Sequence, residues 1–330
     1  MSMEDIKAEG VYIPRAKPGA LPDIEDICWD DHHETACARG DHFYVDPCTG
    51  LTVMTRVKHL ARGVCCGNGC RHCAYAHENV KDEEKPEKIQ VPSVMHVPKE
   101  GALPTKATAL FWSGGKDSLL ALRAMLAPGG SSHLAGARSI VLVTTFDASS
   151  RKIPHRDVHC RDVVAQARHL DLALVGVPLH GGGSDWSGYG GYVPRLRAAI
   201  DAVRARGCEI TDVACGDLHL ARAREWREAI VGDALGLEVR FPLWRATYEK
   251  LEADLASSGV VVKVTAVRSE AARAAGVRVG ATFGEEFCAA LRRTKVDARG
   301  ENGEFHTFAR VWETTRERAL GVDVARAAAA

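Results

Sequence analysis

The stretch Thr108–Leu126, TALFWSGGKDSLLALRAML, decides how the chain is read. Thr108–Trp112 is a short, continuous apolar run of the kind that forms a buried strand. Lys116–Leu126 carries its apolar residues at helical spacing. Between them, the two glycines of Ser113-Gly114-Gly115 let the backbone bend and present N–H groups to an anion. The helix N-terminus adds its partial positive charge. Ser113 and Ser118 offer hydroxyls and Lys116 a point charge, so Ser113–Ser118 reads as a phosphate-holding loop. Asp117 suits that position when a divalent cation bridges it to the phosphate, which points to Mg²⁺.

Outward from this loop the pattern repeats. Strands are expected at Ser139–Phe146, Ala173–Val177, Asp212–Ala214, Glu238–Phe241 and Val260–Val267. Helices are expected at Val158–Leu170, Val193–Arg206, Ala221–Leu235, Glu249–Ser257 and Glu285–Arg292. Apolar strands alternating with helices predict an α/β fold with a doubly wound, mostly parallel sheet covered on both faces. Ligands of such sheets sit at the carboxyl ends of the strands, near the topological switch point. Residues 78–106 are charged, contain four prolines and carry neither period, so they read as a linker. It divides a Cys/His-rich module (1–77) from the loop-bearing domain (107–312), which a tail (313–330) follows.

Among the 330 residues, 43 Lys+Arg balance 43 Asp+Glu, so no global basic field draws the chain to nucleic acid, although a local basic groove is still open. Apolar runs such as Ala109–Trp112, Ile140–Val143 and Val260–Val262 fall far short of the roughly 20 residues that span a bilayer. The N-terminal MSMEDIKAEG has acidic residues and no apolar core, so neither a secretory signal nor a membrane partner is expected and the cytosol is the default compartment.

The loop lacks the G-x-x-x-x-G-K-[ST] spacing of a Walker A motif. It resembles the S-G-G-x-D-S signature of the PP-loop ATP pyrophosphatases, of the adenine nucleotide alpha hydrolase-like fold, and matches it at every fixed position. Three further segments narrow the likeness: Gly216-Asp217-Leu218-His219-Leu220 with Arg222, Arg224 and Trp226; Phe241-Pro242-Leu243-Trp244; and Gly300-Glu301-Asn302-Gly303-Glu304-Phe305-His306-Thr307. In this order they resemble diphthine–ammonia ligase and its relatives, over about residues 107–310. The resemblance implies ATP cleaved between its α and β phosphates, a substrate carbonyl oxygen adenylated, and ammonia, taken up as ammonium, displacing AMP. The implied protein substrate is the diphthine of elongation factor 2. Leu218, Arg245 and the Phe308–Trp312 run depart from the family pattern, which has Ile, Gly and Asp-Gly-Pro there.

Each segment also has a reading of its own. Asp217 follows an apolar strand end and serves to bind metal, orient substrate or cap the next helix. Arg222 and Arg224 suit a leaving pyrophosphate or a substrate carboxylate, or lie on a solvated helix face. Trp244 stacks on adenine or a substrate ring, or packs in the core. Glu301, Glu304 and His306 place two carboxylates and an imidazole within six residues, suited to deprotonating ammonium or relaying a proton. Lys116, Asp217, Arg222, Arg224, Glu301, Glu304 and His306 are therefore the expected catalytic residues, with Gly216, His219, Trp244 and Asn302 on the substrate side. Asp147 follows the second strand and either lies near the nucleotide or is an ordinary loop residue, the second reading being favoured. The glycine-rich Gly181–Gly191 is either a loop that closes over substrate or a surface loop.

Seven of the 11 cysteines lie in the first 73 residues. Cys65-Cys66-Gly67-Asn68-Gly69-Cys70-Arg71-His72-Cys73 places four thiols within reach of one centre, and Cys65, Cys66, Cys70 and Cys73 are candidate Zn²⁺ ligands. Reduced structural thiols and an iron–sulfur cluster are the alternatives. Thr35–His77 resembles a small domain of unknown function, with Ala74 in place of its proline. Arg56, Arg62, Arg71 and His72 are candidate contacts to RNA or protein. Cys160, Cys208, Cys215 and Cys288 are expected as buried small hydrophobes. Besides the ligase reading, a PP-loop RNA-modifying enzyme and a non-catalytic nucleotide-binding adaptor stay open.

Overall fold

A computed structural model describes the chain apart from residues 1–28, 48–49, 76, 82–83, 85–91, 100–102, 131–138, 149, 180–191 and 323–330. The first elements are α1 (Trp29–Arg39), β1 (Phe43–Val45), β2 (Thr52–Met54), α2 (Arg56–Arg62) and β3 (Ser93–His96). Next come β4 (Lys106–Phe111), α3 (Lys116–Leu126), β5 (Ile140–Asp147), α4 (Cys160–Leu170), β6 (Ala173–Leu179) and α5 (Tyr192–Arg204). Then follow β7 (Glu209–Ala214), α6 (Ala221–Trp226) running into a π-helical stretch (Arg227–Asp233), β8 (Glu238–Arg240) and α7 (Tyr248–Ser258). The last are β9 (Val261–Val267), α8 (Glu270–Ala274), β10 (Thr282–Phe283), α9 (Glu285–Leu291), β11 (Phe305–Arg310), a 3₁₀ turn (Val311–Glu313) and α10 (Arg316–Leu320).

Six strands form the central sheet in the order β3-β6-β5-β4-β7-β8. β4 pairs parallel with β5 and β7, and β7 pairs parallel with β8. β6 is buried at every position and β4 at Ala107–Leu110, as strands covered on both faces must be. Leu110, Leu142 and Leu174 are fully buried, and Leu119, Leu120 and Leu122 of α3 join that core. The chain leaves β4 towards β5 and β6, then returns past it to β7. The strand order therefore reverses between β4 and β7, which makes their carboxyl ends the switch point. Cys160, Cys208, Cys215 and Cys288 are buried as expected.

α8, β10 and β11 are not among the expected elements, and the structure differs from those elements in four further places. Val261–Val267 does not join the parallel sheet but forms an antiparallel one in the order β10-β9-β11. Val262 and Val264 are buried while Lys263 and Thr265 are not, the alternation of a sheet with one covered face. The helix expected over 221–235 is α-helical only to Trp226 and widens into a π-helical stretch. The expected linker contains β3, whose Val94 and Met95 are buried. The tail contains α10, whose Ala319 and Leu320 are buried and whose carbonyls at Arg318 and Ala319 accept from Arg123 Nη1 at 2.7 and 3.0 Å. Gly181–Gly191 lies outside the described residues.

The chain divides into two compact units: 1–95 with 145–154 and 176–202, and 96–144 with 155–175 and 203–330. In the first, Ala36 of α1 packs with Tyr44 and Val53 of the β1–β2 hairpin. Thr55 caps α2 by accepting the Lys58 N–H, and Gly63 ends it in the left-handed region. Arg71 and His72, expected as contacts to RNA or protein, are instead buried there. Arg71 donates to the Tyr44 hydroxyl at 3.0 Å and pairs with Asp46 at 2.9 Å. His72 stacks on His33 with ring centroids 3.5 Å apart. Among the described residues no helix is long and apolar enough to cross a membrane.

Candidate active site

The loop after β4 and the start of α3 lie in the second unit, and three glycines show how tightly other segments approach them. A Cβ on Gly114, whose φ is +74°, would fall 2.7 Å from Gln166 Oε1 and 2.8 Å from the Phe308 ring. On Gly115 it would fall 2.9 Å from Arg156 Nη1. On Gly216, in the turn after β7, it would fall 2.8 Å from the Asp117 carbonyl oxygen. The Gly216 turn thus lies against the first turn of α3. Ser118 is buried and donates to the Gly115 carbonyl at 2.9 Å, and Ser113 is half-buried at the mouth of the turn. Gly115, the N-cap of α3, brings no side-chain hydrogen bond to the helix end.

β11 is stitched to this loop. The Ala309 N–H donates to the Gly114 carbonyl at 2.8 Å. Gln166 Nε2 donates to the carbonyls of Gly114 (2.9 Å) and Ala309 (2.6 Å), while its Oε1 accepts the Trp112 indole N–H at 2.8 Å. Thr307 Oγ1 accepts the Lys116 backbone N–H at 3.3 Å, and the Thr307 carbonyl accepts from Arg156 Nη1 at 2.9 Å. The signature loop, Gly216 and the Gly300–Thr307 segment therefore meet in one place.

A charge network lies under the loop. Lys116 Nζ sits 2.6 Å from Asp117 Oδ2 and 3.6 Å from Glu301 Oε1. Arg299, fully buried, places Nη2 3.0 Å from Asp117 Oδ1, with its guanidinium 5.7 Å from the Tyr248 ring and 5.6 Å from that of Phe283. The Tyr248 hydroxyl donates to Asp297 at 2.8 Å, and Asp297 Oδ1 accepts the backbone N–H groups of Arg299 and Glu301. Burial alone would raise the Asp117 carboxyl, yet Lys116 and Arg299 outweigh it and hold it below its usual range. For Glu301 burial prevails, reinforced by the Asp117 charge, and its carboxyl is pushed up to about 7. Burial, with Arg156 and His155 next, pushes His306 down to about 3, so its imidazole is neutral at physiological pH.

Other expected site residues take different posts. Glu304 accepts the backbone N–H groups of Asp297 (3.2 Å) and Asn302 (3.0 Å) and the Asn302 side-chain amide (3.1 Å), so this carboxylate and Asn302 fasten the turn that presents Glu301. Asp217 pairs with Arg227 at 3.4 Å. Arg224 pairs with Glu228 at 2.8 Å and lies over the rings of Trp244 (5.0 Å) and Phe241 (5.2 Å), so Trp244 already carries a cation on its face. His219 is exposed, 6.1 Å from the Tyr248 ring, and Arg222 is exposed. Arg245 has φ 59°, the left-handed region that favours glycine, which is the residue the resembled family carries there. Asp147, the last residue of β5, accepts at Oδ1 from the Ser150 N–H and hydroxyl.

Sequence reading missed Arg156, Gln166, Asp297 and Arg299. Gln166 had a signal: a polar residue on the apolar stripe of Val163, Val164, Ala167 and Leu170. The arginines had none, since a lone arginine in a loop looks like any surface cation.

The residues fit the phosphates of a nucleotide: a glycine turn, a helix start whose N-cap is a glycine, and Lys116 beside it. They do not assemble a protein ligand set for Mg²⁺, because both oxygens of Asp117 face cations. In the first unit the four thiols form two pairs, Cys66–Cys70 at 3.2 Å and Cys73–Cys65 at 3.8 Å. Cys65 and Cys66, though adjacent, take different partners. Among the described residues no group of three or more His, Cys, Asp or Glu is placed to hold a metal ion.

Fold and site together define an α/β protein with a helix-start glycine turn and a buried charge network at the switch point of its sheet. Residues 32–79 match a family of unknown function (DUF5522), which covers the cysteine module and stops short of the loop.

Proposed function

We infer that the chain is an ATP-dependent amide ligase similar to diphthine–ammonia ligase. The observation that supports it is the meeting of Ser113–Ser118, Gly216 and Gly300–Thr307, distant in sequence, at the carboxyl ends of β4 and β7. ATP would supply the adenylyl group and the pyrophosphate that leaves. The loop N–H groups and Ser113 bind its phosphates, and Lys116 offsets charge that develops on the leaving oxygen. Asp117 and Arg299 hold Lys116 and the start of α3 in register. Glu301, with its proton affinity raised to neutrality, takes the proton from ammonium so that ammonia attacks the acyl carbon.

The test uses the full chain with ATP, Mg²⁺, ammonium and diphthine-bearing elongation factor 2, with AMP, pyrophosphate and the mass of the factor as readouts. Release of AMP with the mass change of hydroxyl to amide is expected. The Lys116→Ala and Asp117→Ala variants should lower AMP release by about 100-fold or more. Full turnover in either variant would remove the loop from the mechanism. Nucleotide binding with an unchanged factor would remove this substrate.

A further inference from the structure

Lys116 and Arg299 already face carboxylates. Lys116 pairs with Asp117 and Glu301, and Arg299 pairs with Asp117. A triphosphate brings several negative charges, more than Lys116 alone can offset, so further positive charge has to come from elsewhere. It is present on the opposite flank of Gly115. Arg156 Nη1 lies 2.9 Å from the place a Gly115 Cβ would occupy and donates to the Thr307 carbonyl. Arg268, just past β9, donates from Nε to the His155 carbonyl at 3.3 Å. The rings of His155 and His306 lie 6.3 Å apart. His155 itself sits at φ 63°, a backbone conformation uncommon outside glycine, immediately before Arg156. Among the described residues neither arginine forms an ion pair.

We propose that Arg156 and Arg268, with His155 and His306 beside them, form an oxyanion site next to Gly115 that holds the terminal phosphates of the nucleotide and the pyrophosphate derived from them. The site thereby selects a triphosphate over a monophosphate. It rests on the reading of Ser113–Ser118 as the nucleotide loop. Burial and the arginines keep both imidazoles below their usual range, so the positive charge is that of the two guanidinium groups. A guanidinium on an oxyanion forms charge-assisted hydrogen bonds, roughly twice as strong as neutral ones.

Titration calorimetry on the full chain separates the possibilities, with α,β-methylene-ATP, AMP and inorganic pyrophosphate as the probes. Arg268 is exposed, so its substitution leaves the fold intact. Arg268→Glu should weaken the ATP analogue and pyrophosphate by about tenfold or more and leave AMP unchanged. Arg268→Lys should retain most of the affinity. Equal affinity of wild type and Arg268→Glu for the analogue and pyrophosphate would overturn the site, as would an equal loss for AMP. If the wild type bound none of the three probes, the nucleotide loop itself would fall, and this proposal with it.

Discussion

Glu301, the base of the proposed ligase, would serve that role at a cost in stability. Its carboxyl is raised from 4.5 to about 7 in the folded chain. Below the unfolded value both states hold the proton and nothing is lost. As pH rises the unfolded chain releases its proton first, so stability falls until pH passes about 7. Glu301→Gln removes that loss. It should be more stable than wild type by on the order of 1–3 kcal/mol near pH 8, and close to equal near pH 4, in urea titrations at the two pH values. If the proposed ligase reading holds, the same substitution should abolish amide formation and, with it, the rise in rate through neutrality expected of the wild type. An equal stability difference at both pH values would mean that Glu301 is not the strained carboxylate. Glu301 was legible in the sequence because it sits in an eight-residue motif. Arg299, three ångströms from Asp117, was not, because only burial distinguishes it from a surface arginine.

At the scale of elements, the site depends on the contact between the turn after β7 and the first turn of α3. Gly216 permits it, since a Cβ there would lie 2.8 Å from a backbone oxygen that cannot swing aside. Gly216→Ala should therefore push the turn and helix apart, costing about 1–3 kcal/mol by thermal unfolding and reducing nucleotide affinity in parallel. Wild-type affinity in a folded Gly216→Ala protein would show that the two segments act independently. The parallel strands were legible because burial on both faces leaves continuous apolar runs, as in β4 and β6. β9 was assigned to the wrong sheet, although its alternation of Val262 and Val264 with Lys263 and Thr265 carried the answer. β3 was hidden because two apolar residues among prolines and charges give no period. The two-residue β10 is too short to have one.

At the scale of the whole molecule, the compact units are discontinuous in sequence, since 145–154 and 176–202 belong with 1–95. A linear reading divides a chain at composition changes and cannot find such a grouping. Both units, however, bury imidazoles in neutral form. Burial pushes His59 of the first unit down to about 4 and His306 of the second to about 3, and it lowers His33, His96 and His155 as well. An unfolded chain protonates these rings near 6.5 while the folded chain resists, so stability is complete above that pH and declines as pH falls below it. At about 1.4 kcal/mol per unit, His59 and His306 alone would remove about 4 kcal/mol by pH 5, a large share of the 5–15 kcal/mol that holds a typical protein together. Glu301 acts in the opposite sense as pH falls from about 7 to 4.5 and offsets part of this loss. The carboxylates of Asp117, Asp297 and Glu34, all held below their usual range, add to the loss at still lower pH. Calorimetric unfolding should therefore show lower midpoints at pH 5 than at pH 7.5, and His59→Gln and His306→Gln should each flatten that dependence. Midpoints unmoved by acid in the wild type would mean that these imidazoles are protonated in the folded chain. The charge assigned to the Arg156–Arg268 site would then have to include them.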